Sequence, residues 1–506
     1  MSLLGIDVGT TGCKAAAYSV EGRCCASTYR EYLTLYPAPG EAELDSSHVW
    51  NCIKQCIAEV ASQTKADPLT ALSVSTMGEA ATPVTADRRI LGNSILSSDM
   101  RGSQYADRLR DAFGAEGFYD INANLLGPGY TMPKIAWTRD YLPELYKKAD
   151  KFLLWGGLVE FLLGSEPFTS FSHASRTLLF DIRRQTWSSP LIKVCDIDPA
   201  KLPPCLASGV VAGTVSESMA QELGLPKKVK IVVGGHDQCC NALGAGIFRP
   251  GQAVDGIGTF ECITPVYNQI PPTVPMLKNG LNVEHHVMEG LYVSFLFNQA
   301  GSVVRWFRDT FAVESRYLDD IYSRLDMEMP AEPTNLFVLP YFAPTGSPRF
   351  IADASGVIVG LKMNTTRGDI LKAILESTTF YFVESLDALK GMRVDTSEFI
   401  ATGGGAKSDD WLQIKADIFG VPFVRPAIIE SGLLGTAILA GVATGEFKHV
   451  EEATKIFVRR EKAFEPNAKR HAIYRERLSK YQELFPMMYP FLKKLQTSRQ
   501  GLPDVP

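Results

Sequence analysis

Two kinds of apolar pattern alternate along this chain. Short apolar runs are broken by glycine, and longer stretches repeat every three to four residues. Leu3 to Val8 reads as a strand interrupted by Asp7, and Gly9-Thr10-Thr11-Gly12 turns it into a second strand over Cys13 to Val20. Glu21-Gly22 then leads into Arg23 to Leu33. After a loop at Pro37 to Gly40, Asp45 or Ser46 caps a helix with Val49, Cys52, Ile53, Cys56, Ile57 and Val60 on its apolar side. Leu69 to Thr76 is the next strand and runs into Met77-Gly78-Glu79, an acid at a strand end. From there to about Leu163 the pattern is mostly helical. Proline-rich turns at Pro199 to Pro204 precede a β-branched run that ends in Gly234-Gly235-His236-Asp237-Gln238.

The opening pattern has an echo. Gln252 to Ile257, then Gly258-Thr259, then a strand through Val266 repeats the hairpin of residues 3–20 and predicts two related domains. Further on come Gly301 before a helix (Ser302 to Phe311), a strand over Leu336 to Phe342, and a helix from Gly368 to Leu389. Phe399 to Thr402 ends in Gly403-Gly404-Gly405-Ala406-Lys407-Ser408, and a mixed-charge helical tail begins near Val450. The expected division is an N-terminal domain over 1–246, a C-terminal domain over 247–450, and a helical tail over 451–506 packed on both.

A length of 506 residues suits two or more cores, and the composition is that of an ordinary globular protein. With 51 Lys and Arg against 56 Asp and Glu, scattered along the chain, the net charge of -5 leaves no basic footprint for nucleic acid. No apolar run reaches the length of a membrane span, and the first residues enter a strand pattern without a signal-peptide signature. The prediction is a cytoplasmic protein with no nucleic-acid or membrane partner, for which a homodimer stays open. Ten cysteines are too few for a disulfide scaffold and read as reduced thiols. Cys239-Cys240 with His236, and His285-His286 after Glu284, hint at metal ligands but lack a second cluster at a usual spacing.

Chemistry concentrates at three places. Asp237 is expected where a buried strand empties into a loop, a position from which a rigidly held carboxylate reaches a crevice, although an Asp there can also serve only as a helix cap. The Gly9 to Gly12 turn offers hydroxyls and free amides, a natural phosphate cradle, but a polar hairpin facing solvent gives the same pattern. It lacks the GxxxxGK[ST] spacing of a Walker loop. The triple glycine at 403–405 lets a ligand approach backbone at a helix N-terminus, or marks a structural bend.

Together these residues resemble the FGGY family of carbohydrate kinases, two-domain ATP-binding α/β proteins of the ribonuclease-H-like class that includes actin and hexokinase. The likeness spans nearly the whole chain. It rests on Gly5-Ile6-Asp7-Val8-Gly9-Thr10-Thr11-Gly12, Gly235-His236-Asp237-Gln238, Gly258-Thr259, and Gln299-Ala300-Gly301 with Arg305-Trp306. It rests also on the 403–408 loop and Ser431-Gly432-Leu433-Leu434-Gly435-Thr436-Ala437. One family signature is met throughout, Gly356-Val357-Ile358-Val359-Gly360-Leu361 followed by Asp369-Ile370 and Ala373-Ile374-Leu375-Glu376. The other, around Lys134-Ile135-Ala136-Trp137, departs at Thr138 and Tyr141.

The resemblance implies a fold of two ribonuclease-H-like domains around a central cleft, and transfer of the γ-phosphate of ATP to a ketose or polyol hydroxyl. Asp237 would be the general base and Asp7 the Mg²⁺ ligand. Thr10, Thr11, Lys14, Gly258 and Thr259 would meet the phosphates, and Gly301, Gly404, Gly405 and Ser408 the adenosine. Glu79, Asp99, Arg101, Asp237 and Gln238 would contact the acceptor.

Two departures bear on which acceptor. Gly78-Glu79 stands where xylulokinase-like members carry Met-His; the acid resembles glycerol kinases, without their preceding Arg. Ser97 stands where a Trp is common before Asp99-Met100-Arg101. Both predict a wider or more polar pocket. The alternative from another class is a non-catalytic nucleotide-binding sensor or assembly protein on the same fold. A dinucleotide oxidoreductase is disfavoured, because no GxGxxG opens a helix after the first strand.

Overall fold

The computed structural model describes residues 1–351, 353, 355–428 and 430–497. Two mixed sheets organise it, and each is assembled in the same order. In the first, Lys230–His236, Leu69–Thr76 and Ser2–Val8 run parallel side by side, and Gly12–Ser19 and Cys24–Glu31 continue the sheet as antiparallel hairpins. In the second, Phe423–Pro426, Glu398–Thr402 and Gln252–Ile257 are the parallel centre, followed by Phe260–Tyr267 and Leu296–Gln299. The echo at 252–266 is thus the opening hairpin of a second α/β domain. Central strands such as Ser2–Val8 are buried almost throughout because both faces of the sheet are covered.

The helix after the fifth strand of each domain joins the two copies. These helices, Asp237–Gly244 and Ser431–Ala443, cross at glycines: a side chain at Gly244 would collide with the Ser431 carbonyl, and one at Gly435 with the Cys240 carbonyl. The second helix also lies on the first sheet, where a Cβ at Gly5 would sit 2.6 Å from the Leu433 oxygen. Leu3, Ala16, Val232, Val254, Ile400, Leu434 and Ile438 therefore share one apolar cluster spanning both halves of the chain. A crossing this tight leaves no space for a side chain at its centre.

Two expectations are refined. The stretch from 77 to 163 is mostly helical as expected, over Ser103–Asn122, Thr131–Tyr141, Pro143–Lys148 and Trp155–Leu163, but it also holds short strands: Ala81–Val84 pairs with Lys151–Leu154, and Ser94–Ile95 with Glu43–Leu44. All four residues of Ala81–Val84 are buried, so the strand carries no polar alternation to read. The tail is not wholly helical either, since Arg460–Phe464 pairs antiparallel with Phe423–Pro426 and closes the second sheet. Its four exposed residues, Arg460 to Ala463, carry three charges, which protects an open sheet edge from pairing with other chains.

Residues just past 280, which join the second sheet through Glu284–His285 and Tyr292–Val293, also bond to the first half. Tyr119 donates to the Leu281 carbonyl at 2.8 Å, and the Val283 amide to the Ala123 carbonyl at 2.9 Å. Among the described residues no helix is long and apolar enough to cross a membrane.

Candidate active site

Three parallel strands of the first sheet end abreast. Asp7 is in register with Ser75, Ser75 with Gly235, and Thr76 with His236. Carboxyl ends of parallel strands are where open α/β sheets bind ligands. The strand through His236 does not empty into a loop as expected. It passes directly into the Asp237–Gly244 helix, because His236 takes the capping position, with its Nδ1 3.2 Å from the Gln238 amide nitrogen. Asp237 Oδ1 accepts the same amide at 2.6 Å, and the side chain remains 36% exposed. A base on the first turn of a helix is held more firmly than one on a loop.

The two carboxylates differ in environment. Burial, then the negative charge of Asp237, push the Asp7 carboxyl up to about 6, against the opposing Ser75 hydroxyl at 2.8 Å and the Lys14 ammonium. Burial also works to raise Asp237, but the His236 ring 3.0 Å away and the Gln238 amide outweigh it and hold the group below the usual carboxylate range. Asp237 is therefore the carboxylate ready to accept a proton, and Asp7 is the one whose charge lacks compensation. Environments that split paired carboxylates in this way assign them different tasks.

The glycine turns stand at the ends of both sheets. Thr10, Thr11, Gly258 and Thr259 are exposed at their tips, and the three threonine hydroxyls bond to nothing among the described residues. Tyr32 holds the first turn from behind by donating to the Gly9 carbonyl at 2.6 Å. Gly301 packs on the second turn, where a side chain would collide with the Gly258 carbonyl, so its lack of a Cβ already has a structural cause. Gly405 is likewise pressed against Ile257, whereas a Cβ on Gly404 would meet nothing within 4 Å. Ser408 caps the Asp409–Phe419 helix and donates to Asp326 at 2.9 Å. Lys14 pairs with Glu430 at 2.7 Å.

The N-terminal-domain profile of the FGGY family of carbohydrate kinases matches residues 2–244, and the C-terminal-domain profile matches residues 262–444. This chain belongs to the FGGY family of carbohydrate kinases. A xylulose kinase of Bacillus subtilis (strain 168) is 28% identical over 501 residues, 98% of each chain. A glycerol kinase of Janthinobacterium sp. (strain Marseille) is 28% identical over 483 residues, 92% of this chain and 94% of that one. The solved xylulose kinase of Rhodospirillum rubrum superposes with a TM-score of 0.89 at 24% identity, covering 97% of this chain and all of that one. The FGGY membership makes the protein an ATP-dependent carbohydrate kinase, a phosphotransferase with an alcohol acceptor.

Among the residues expected to contact the acceptor, Glu79 is not a lone carboxylate. Arg176 donates to Glu79 Oε1 from Nε at 2.8 Å and also from Nη2, and to Glu284 Oε1 from Nη1 at 2.7 Å. Its guanidinium lies over the rings of Tyr130 and Phe295, and Phe295 stacks on His236 with centroids 4.7 Å apart. Gly78 has no room for a side chain, because a Cβ would come within 2.5 Å of His236 Cδ2. The guanidinium against Glu79 therefore comes from 97 residues away. Gln238 Oε1 is buried without a partner.

Asp99 and Arg101 stand apart from this group. Asp99 is fully buried, both its oxygens accept from Arg101, and the Ala42 amide adds a further donor. Arg101 also bonds to Glu43 at 2.6 Å and stacks on Trp137. That ion-pair network borders a separate cavity of about 300 Å³ lined by Glu43, Arg101, Trp137 and Phe152 rather than Asp237. The pair braces the fold, with the Asp99 carboxylate engaged within the protein.

Arg176 and Phe295 carried no local signal in the sequence, and Glu284 stood out only beside the His285-His286 pair. His285 and His286, next to Glu284, are buried and engaged with the Ile182 carbonyl and the Met288 amide.

Proposed function

We propose that this kinase transfers the γ-phosphate of ATP to a hydroxyl of a ketose or polyol, with Asp237 as general base. The observation that carries the reading is the split pair of carboxylates at the ends of the two strands that flank Leu69–Thr76. Asp237, held ionised and partly open, takes the proton of the attacking hydroxyl, a step that typically contributes ~10²–10⁴-fold. The names of the relatives, xylulose kinase and glycerol kinase, support a ketose or polyol.

Mg²⁺ fits at Asp7. Among the described residues no three His, Cys, Asp or Glu side chains cluster as a closed metal cage. Mg²⁺ needs none, since it usually keeps several waters and takes one or two carboxylates plus phosphate oxygens. Asp7 offers such a carboxylate, and Gly432 opposite keeps the space clear, since a Cβ there would sit 3.7 Å from Asp7 Oδ1. A bound Mg²⁺ would neutralise phosphate charge as it develops. The hydroxyls of Thr10, Thr11 and Thr259 would donate to phosphate oxygens from both domains, and the open face of Gly404 would lie along the adenosine.

The test is ADP release by the purified protein over a panel of ketoses, aldoses and polyols, for wild type and Asp237→Asn. Sugar-dependent release should fall by about 10²–10⁴-fold in the variant while Mg-ATP still binds. Release that no sugar stimulates, or that survives the substitution, refutes the reading.

A further inference from the structure

The wall facing Asp237 contains a charge arrangement whose use the transfer step leaves open. Arg176 is 16% exposed and sits between Glu79, 13% exposed, and Glu284, fully buried. Glu284 Oε1 also accepts from Asn282 Nδ2 at 2.8 Å, and its Oε2 is buried with no partner. Among the described residues no other Lys or Arg bonds to Glu79 or Glu284. Burial pushes the Glu284 carboxyl up while Arg176 and Asn282 oppose it, and with both carboxylates ionised around one guanidinium the wall carries a net charge of -1, beside Asp237. Buried charges of this kind are costly unless each is matched, so an unmatched oxygen in this wall favours a donor.

From this we infer that the Glu79–Arg176–Glu284 wall selects an uncharged, hydroxyl-rich acceptor and rejects sugar acids and sugar phosphates. Hydroxyl groups suit the wall in both directions. They donate to the free Glu79 oxygen, and they accept from guanidinium N–H groups not used by the two carboxylates. A carboxylate or phosphate on the acceptor instead meets like charge, with the one nearby cation already doubly paired. Like-charge juxtaposition in a desolvated contact suppresses the wrong partner strongly. Arg176 here is a positioning residue: it orients Glu79 and joins it to Glu284 from the second half of the chain. Tyr130 and Phe295 confine its guanidinium from the sides, and Phe295 links it through His236 to Asp237.

The inference rests on the kinase reading above, and one experiment separates the two. ADP release is measured for neutral ketoses and polyols and for the matching aldonates, with wild type, Glu284→Gln and Arg176→Lys. Wild type should use the best neutral acceptor at least about 100-fold better in kcat/KM than its aldonate. Glu284→Gln removes one negative charge and should narrow that gap at least about tenfold, raising KM for the neutral acceptor and leaving KM for ATP unchanged. Arg176→Lys keeps the charge without the fork, and should lower kcat/KM for the acceptor about tenfold or more without improving use of the aldonate.

Should Glu284→Gln fail to fold, Glu79→Gln makes the same charge change and carries the same expectation. An aldonate preferred by wild type, or an unchanged neutral-to-acid ratio in the folded glutamine variant, overturns the inference while the kinase reading stands. No acceptor-dependent release of any kind overturns the kinase reading itself.

Discussion

Replacing Asp7 by Asn should stabilise the free protein while removing its activity. In the folded state burial and the charge of Asp237 raise the Asp7 carboxyl from 3.8 to about 6. Each unit is about 1.4 kcal/mol, so an ionised Asp7 costs the fold up to about 3 kcal/mol. Partial access to solvent in the cleft lowers this to roughly 1–2 kcal/mol. The sign follows from linkage: the folded pKa lies above the unfolded one, so the unfolded chain ionises first as pH rises. The cost is absent below about pH 4, grows between about 4 and 6, and is complete above. The amide that replaces the carboxylate still accepts from Ser75 and carries no charge.

Denaturant midpoints of wild type and Asp7→Asn, without nucleotide or Mg²⁺, should therefore diverge in favour of the variant between about pH 4 and 6 and run parallel above. The same group should release about half a proton when Mg-ATP binds to wild type near pH 6, and none in the variant. Calorimetry in buffers of different ionisation enthalpy reads that directly. A stability difference independent of pH, or a wild type more stable than the variant above the transition, refutes the reasoning.

Other substitutions probe the scaffold. Lys415 is fully buried between Asp255 at 3.0 Å and Glu261, so Lys415→Met leaves two carboxylates without their cation; a loss of about 3–5 kcal/mol in urea denaturation is expected, and an unchanged midpoint would contradict it. Gly301→Ala drives a Cβ into the Gly258 carbonyl, so the variant should melt several degrees lower and raise KM for ATP more than for the acceptor, measured by thermal denaturation and steady-state kinetics.

The local chemistry of the chain was enough to read its turns and strand ends. Gly9-Thr10-Thr11-Gly12 and Gly258-Thr259 are legible because glycine and threonine act on their own backbone, and Asp45 caps its helix through His48 for the same short-range reason. Duplication of the hairpin, and with it the two-domain α/β architecture, follows from a pattern repeated along the chain. Tertiary structure decided whatever depends on which strands become neighbours. Arg176 meets Glu79 and Glu284 across 97 and 108 residues, a contact that no local pattern encodes. Asp99 stood in sequence among the expected acceptor contacts, and the fold closes Arg101 and the Ala42 amide around it. The opposed environments of Asp7 and Asp237 likewise exist only once three parallel strands end abreast, because pKa shifts arise from burial and from charges brought near in space rather than along the chain.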